Sequence, residues 1–551
     1  MNTLYFLFIF YLFLMSSVGY GYLYKRILNI NYQDDLGTLG ILGLINLTLI
    51  SYILALLINE KTYFNLIIHI LGIIIFLLNL KKFRINKYSI IIISILSIGI
   101  FISKTHDDFS FYHLPQSLNL SINKLQIGLS NLDFSYAYHS SILYLNSLFY
   151  LPIYKYFFFN VPNLLFFIFS SLIFIKNILD NKNIKIIRFY SLFVLSFILI
   201  KFSRLSEFGT DLSGQILILV SITYFLKFIN YRIENNAEIV IFFTILLYCF
   251  TIKTYFIFYL FLFFLIFIFK NIKKFKTIFL KNINFAGFSF IYLFLFFTIN
   301  LFSSGCLIFP ITFSCIGDLS WAMPIDEVKG YSQWFEVWSK SLAGTNYIEN
   351  NYLQLTNNFA WINFWIKNYL PKYLETIYLL FFLVITFLLL FRNYAKSRLK
   401  LEKNSKLIIY FLIFIFLFWF YKHPTLRYGG FAVHIAMISI LLSNYLKKTL
   451  LNEKKILKNS IIIISISLFV FLAKNTLRIN NEFNRDDQFK FNNFPYFKVK
   501  NINYEKIAIN DNFLFSYVYG SHCWDSPPPC GTIKNLNVDR INGYYLIKRK
   551  N

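Results

Sequence analysis

The stretch `KTHDDFSFYHLP` at residues 104–115 sets two carboxylates, Asp107 and Asp108, side by side between His106 and His113. The whole chain carries only 26 acidic residues. Adjacent carboxylates repel, which tends to raise the pKa of one of them. A carboxylate that holds a proton near neutral pH is suited to general base work. A solvated loop or a helix cap is the plainer reading of the same residues.

The pair directly follows `KYSIIIISILSIGIFIS`, an apolar run that reads as a membrane span. It thus stands where the chain leaves a bilayer. After it, `PQSLNLSINKLQIGLS` places Leu118, Ile122, Leu125 and Leu129 on one stripe, with Pro115 suited to a first helical turn. That pattern predicts a short helix lying in the membrane interface.

The elements that must position these residues are spans. The chain is 57% hydrophobic, 21% aromatic and only 14% charged. A soluble chain carries about a quarter charged residues. The expected fold class is therefore all-α and polytopic, with about 13–14 transmembrane helices. The spans fall near 3–22, 37–58, 63–80, 88–103, 161–178, 187–203, 211–228, 238–253, 256–269, 283–302, 373–391, 407–421, 429–446 and 459–474. The first lacks the basic leader and cleavage site of a signal peptide.

Basic linkers such as `YKRILN`, `KKFRINK`, `NKNIKIIR` and `KKTLLNEKKILK` alternate with linkers that are long or poor in Lys and Arg. The positive-inside rule puts the basic set in the cytoplasm and both termini outside. The alternation holds only if 138–160, with Lys155, Pro152 and nearby Pro162, does not cross. The formal net charge of +27 follows from these linkers, so no nucleic acid is expected as partner. The partner is the lipid bilayer of the inner (plasma) membrane.

Outer segments long enough to build something are 104–160, 303–372 and the tail 475–551. A transmembrane domain over 1–474 and a C-terminal α+β or β-rich appendage over 475–551 are expected. `KIAIN`, `SYVYG` and `YYLIK` alternate like short strands. Cys306 and Cys315 share one outer segment, and Cys523 and Cys530 share the tail. An oxidising compartment favours two disulfides. Neither pair has the tight spacing typical of a zinc site.

An acidic pair ending the first long outer loop, followed by a juxtamembrane helix, resembles the GT-C glycosyltransferases. The stretch `DDFSFYHLPQSLNLSINKLQIGLSNL` is similar to a group of bacterial membrane proteins of that type. The likeness rests on Asp107, Asp108, Tyr112, His113, Pro115, Gly128, Leu129, Asn131, Leu132, Ser140 and Ser141. `SSGCLIFP` with `DLSWAMP`, and `HPTLRYGG` with Pro424 and Arg427, resemble later segments of that group. The chain departs from the pattern at `DFSYAYH`, where an arginine is expected after `NL`.

The resemblance implies an inverting transfer of a sugar from a polyprenyl-phosphate-linked donor to a glycan or lipid acceptor. The site would lie on the extracytoplasmic side. Asp107, slightly favoured, or Asp108 would deprotonate the acceptor hydroxyl. Cations at outer span ends would stabilise the departing phosphate. The candidates are Lys201, Arg204, Lys253, Lys422 and Arg427, each also readable as an interfacial anchor. Glu207 and Asp211 would pair with Arg204 or contact the sugar, and His106 and His113 would line the substrate.

No cofactor is fixed by the sequence, and a divalent metal stays open. His106, His113 and His139 with the two aspartates offer a set of ligands to a divalent metal, and contacts to headgroups or loop backbone are the plainer reading. Trp321, Trp334, Trp338, Trp361 and Trp365 suit sugar stacking or interface anchoring. The rival class is a transporter or flippase for lipid-linked glycans, or a polymerase component. A transporter places ionisable groups at the midplane, whereas most charges here sit at span ends. Walker, Rossmann and nucleophile-elbow motifs are absent.

Overall fold

The computed structural model describes residues 3–32, 34–83, 85, 87–101, 106, 108–207, 210–230, 237–261, 282–342, 352–356, 359–391, 403–485, 499–510, 513–520 and 522–550. Asp107 and most of the expected span 256–269 lie outside these residues.

Long apolar runs leave the backbone no water to bond, so it must satisfy itself within each segment as helix. Every other expected span falls on a helix. Among the described residues, nine helices are long and apolar enough to cross a membrane. They include Thr3–Ile27, Leu36–Leu57, Thr210–Asn230, Leu426–Leu446 and Glu453–Asn481. Thr62–Leu78, Lys87–Ile100 and Ala237–Ile252 are apolar but shorter, as is Lys185–Lys201 with its three basic residues.

Small residues set the closest helix contacts. A Cβ at Gly21 would overlap the Leu39 carbonyl, and one at Gly43 would overlap that of Ser17. The first two helices therefore approach backbone to backbone, the contact that substitutes for hydrophobic drive inside lipid. The opposite faces of several helices stay bare and apolar. Leu66, Ile70 and Leu77 are exposed on one, Phe290 and Phe294 on another, and Phe381, Phe382 and Leu389 on a third. Faces of this size and character match a bilayer rather than water.

The helix ends sort into two sets. At one end the basic linkers meet. Lys25 pairs with Asp34 at 2.5 Å and Lys176 with Asp35 at 3.0 Å. Lys185 Nζ donates to the Thr449 carbonyl at 3.1 Å, and Arg188 pairs with Glu453. At the other end, the His106 amide donates to the Glu207 carbonyl at 3.1 Å. There Ser141 also meets Thr251 at 2.8 Å. The segment 138–160 stays at this second end. Its helix Ser141–Leu148 is only eight residues long. Asn65, in the first turn of its own helix, bonds to the carbonyls of Ser147 and Tyr150 at 2.8 and 3.1 Å.

This sorting makes a sidedness prediction. Lys155→Cys, at an exposed position of the second end, reacts with an impermeant maleimide on intact cells. Lys454→Cys, exposed at the basic end, reacts only after permeabilisation. The reverse pattern would overturn the topology and every outer assignment with it.

The first long loop, 104–160, differs from the expected surface helix. Leu114–Ile122 is helical but buried along its length, and Asn123 ends it in an extended conformation. Leu125 and Leu129 therefore lie on other elements. The reason is local. Lys61 is buried and spends its ammonium on the Leu120 and Asn123 carbonyls, the latter at 2.6 Å. That lysine caps the helix C-terminus where its carbonyls lack intrahelical partners. Burial pushes the Lys61 pKa down to about 7.

The tail carries two small sheets. β1 (Glu505–Asn510) and β2 (Phe513–Tyr517) pair antiparallel, and β3 (Cys530–Gly531) joins β2 in parallel. β4 (Leu536–Ile541) and β5 (Tyr544–Arg549) form a hairpin. Asn542 and Gly543 turn it with φ of 49° and 79°, the mirror-image turn this dipeptide favours. The helix Glu453–Arg485 runs on past residue 475 without a Gly or Pro to stop it. The tail is also not set apart. Phe513, Phe515, Val538 and Ile547 share a core with Leu129, Leu132 and Tyr136 of the first loop. Ile127 pairs with β5 through bonds of 2.9 and 2.8 Å to Tyr545 and Ile547.

Candidate functional site

Two irregular turns build the site. Phe109–His113 is a π-helical turn leading into Leu114–Ile122, and Asp108 stands at its start. Leu426–Gly430 is a second such turn, kinked at Tyr428 and Gly429, and it carries Arg427. Gly429 has φ 91° and faces the Tyr255 ring, so a side chain there would meet both strain and a clash. π-Turns of this kind recur at functional sites because they aim one side chain out of helical register.

The Arg427 guanidinium bridges the two acids, with Nη2 on Asp108 and Nε on Asp211. Lys253 Nζ donates to the other Asp211 oxygen at 2.7 Å and lies 4.0 Å over the Tyr428 ring. Asp211 opens its helix and Lys253 follows the end of another. Four helix ends thus deliver two anions and two cations to one place. Asp211 is closed off, its side chain only 5% exposed. Asp108, Arg427 and Lys253 keep 23–27% of their side-chain surface exposed.

His106 sits beside Asp108. Its Nδ1 accepts from the Asp108 amide at 3.2 Å and lies 3.4 Å from the carboxylate. Burial by itself would raise the Asp108 carboxyl. The Arg427 guanidinium and the neighbouring His106 outweigh it and hold the group well below the usual carboxylate range. Asp108 is therefore not a raised member of the acidic pair, and the cause is a cation that sequence proximity does not show. His113 is buried, which pushes its pKa down to about 4 and keeps it neutral.

The sign of the linkage is fixed by that lowering. Asp108 contributes stability that is fully present above an unfolded pKa of about 3.9 and is lost as pH falls through its lower folded value. The free protein therefore has no titration of Asp108 in the neutral range. If it is an enzyme, kcat/KM should show no acid limb from this group between about pH 5 and 8. An acid limb near pH 6 that Asp108→Asn abolishes would contradict the ion pair.

A second group adjoins the first. Glu207 pairs with Arg204, Nε to Oε2 at 2.5 Å, and with Arg478. Arg478 also donates to the Phe101 carbonyl at 2.7 Å. The His106 amide on the Glu207 carbonyl links the two groups. A third group lies past Trp338, whose ring is 6.0 Å from the Arg427 guanidinium. There Glu336 takes Lys340 at 2.6 Å, Tyr352 at 3.0 Å and Lys422 at 3.5 Å.

The expected residues thus divide. Asp108, His106, Asp211, Lys253 and Arg427 form one network, with Arg204 and Glu207 beside it. Lys201 pairs with the exposed Glu375 at 3.7 Å, apart from this network. His139 bonds Tyr144 at 2.8 Å, away from the aspartate. No group of three or more His, Cys, Asp or Glu among the described residues stands close enough to hold a metal ion. Cys306–Cys315 and Cys523–Cys530 are both disulfide-bonded. Arg478 is the residue that sequence reading missed. Its signal was the unbroken helical run `FLAKNTLRIN`, which carries it back to the bundle instead of into a separate tail.

Residues 3–434 match the family described as a domain of unknown function, DUF8201. The chain belongs to this family. The DUF8201 region contains Asp108, Asp211, Lys253 and Arg427 and ends before Arg478 and the strands. No curated protein and no solved structure matches the chain.

Proposed function

We propose that this DUF8201 protein is a membrane glycosyltransferase of the GT-C type. It transfers a sugar from a polyprenyl-phosphate-linked donor to an extracytoplasmic glycan or lipid acceptor, with inversion. The observation that carries the reading is the Asp108–Arg427–Asp211–Lys253 network, partly exposed and gathered at the helix ends opposite the basic linkers.

The resting network is neutral and self-satisfied. A lipid-linked phosphate competes for Arg427 and Lys253, and the guanidinium fork suits it geometrically. As Arg427 turns to the phosphate, Asp108 loses the cation that holds its pKa low and becomes a stronger base. The acceptor hydroxyl then donates its proton to Asp108 while its oxygen attacks the anomeric carbon. The bond from that carbon to the phosphate oxygen breaks, and its electron pair leaves with the phosphate. Arg427 and Lys253 take up the developing charge, and Asp211 keeps both cations aimed. Asp107 stands beside this base in sequence and is tested with it.

The test is glycan profiling of a deletion strain, paired with release of polyprenyl phosphate by the purified protein. Loss of one sugar from the surface glycan, and release that needs an acceptor, are expected. An unchanged glycan profile together with no release would sink the reading.

A further inference from the structure

The tail meets the turn that bears Asp108 chiefly at Ser110, with ring contacts on either side of it: His522 against Phe111 at 6.3 Å and Trp524 against Phe109. His522 Nδ1 lies 2.9 Å from the Ser110 hydroxyl, and the Trp524 amide donates to the Ser110 carbonyl at 3.0 Å. The Trp524 side chain packs into the small core formed by Phe109, Leu114, Leu118 and Phe159. Asp525 accepts from the Tyr156 hydroxyl at 2.8 Å. These three tail residues sit in one short loop, `CWDSPPPC` with the histidine before it, closed by Cys523–Cys530.

The loop is itself anchored. Cys530 lies in β3, paired with β2, and its amide donates to the Tyr136 hydroxyl at 3.2 Å. The tail thus holds the first long loop at two separated places. One is the broad core at 127–136. The other is the contact of His522 and Trp524 with the Asp108 turn itself, at Phe109, Ser110 and Phe111. This second contact falls where the direction of the carboxylate is set.

We propose that the disulfide-closed loop 523–530 is a positioning device for the Asp108 turn, with Trp524 as its positioning residue. It acts on the aspartate through Ser110 and Phe109 and touches no substrate. Its effect on transfer rests on the glycosyltransferase reading, whereas its effect on the turn does not. A disulfide removes conformations open to the short loop, and a base displaced by about 1 Å loses on the order of 10²-fold in rate.

The experiment uses the full chain in detergent or nanodiscs. Cys523→Ala/Cys530→Ala and Trp524→Ala are compared with Cys306→Ala/Cys315→Ala as a disulfide control, and with Trp524→Phe as the conservative variant. Hydrogen exchange of residues 108–113 is read first. It should quicken about tenfold or more in the first two variants and stay unchanged in the control, with Trp524→Phe restoring most of the protection. Transfer is read second. The maximal rate should fall by roughly 10- to 100-fold, with donor KM within about twofold. Unchanged exchange at 108–113 in both tail variants overturns the proposal. So does a loss of protection spread evenly through the helices, which would mark the loop as general stabiliser only. Local loosening in a protein whose wild type transfers no sugar supports the positioning role and rejects the glycosyltransferase reading.

Discussion

Asp108→Asn lowers sugar transfer by about 10²–10⁴-fold while the protein keeps its abundance in the membrane. The substitution keeps shape and removes the titrating oxygen. Arg427 retains Asp211, so the guanidinium is not left bare. Asp108 is also partly exposed, and the loss of its charge is shared with solvent. Folding should therefore tolerate the change better than catalysis does. The measurement is complementation of the glycan defect by Asp107→Asn, Asp108→Asn and the double variant, each checked for abundance. If Asp107→Asn alone reproduces the loss, the roles within the pair are reversed. Full complementation by a well-expressed double variant would show a solvated loop, and the mechanism would be abandoned.

Much of this site was legible because its members sit at span ends. An ionisable residue at the end of an apolar run is conspicuous, which singled out Lys253 and Arg427 as cations; Arg427 also fell in the `HPTLRYGG` likeness, and Asp211 was picked for standing near Arg204. Their mutual pairing was not legible. Residues 108, 211, 253 and 427 are brought together by how the helices pack, and periodicity carries no information on which ends meet. The same limit explains the first loop. The stripe of Leu118, Ile122, Leu125 and Leu129 has helical spacing, but Gly128 takes φ 73° under β5 and Asn123 stops the helix early. Tertiary contacts overrode the pattern. The tail illustrates a third case. Strands were visible as alternation in `KIAIN`, `SYVYG` and `YYLIK`, yet the docking of the tail depends on Leu129, Leu132 and Tyr136, which no pattern in the sequence marks as partners of a sheet. Arg478 was hidden by a boundary drawn where hydropathy falls, although the helix has no reason to end there.

Arg427→Ala should be the most damaging single change in the site, because it acts on both stability and transfer. Removing one partner of a buried ion pair costs about 3–5 kcal/mol when the other is left uncompensated. Here Asp211 keeps Lys253 at 2.7 Å, so the cost should fall below that range. Transfer should drop by about 10²–10³-fold, the scale of losing one donor aimed at developing charge. Arg427→Lys keeps the charge but cannot bridge two carboxylates with a planar fork, so it should recover stability more than rate. The decisive comparison adds Asp211→Asn to Arg427→Ala. That second change leaves one anion, Asp108, and one cation, Lys253, in the site, so its net charge returns to zero and part of the thermal stability in detergent should return. It supplies no cation for the leaving phosphate, so transfer should stay low. Recovery of both together would mean that Arg427 serves only to neutralise Asp211. Recovery of stability alone separates the two roles and leaves phosphate stabilisation as the one that the arginine performs in the reaction.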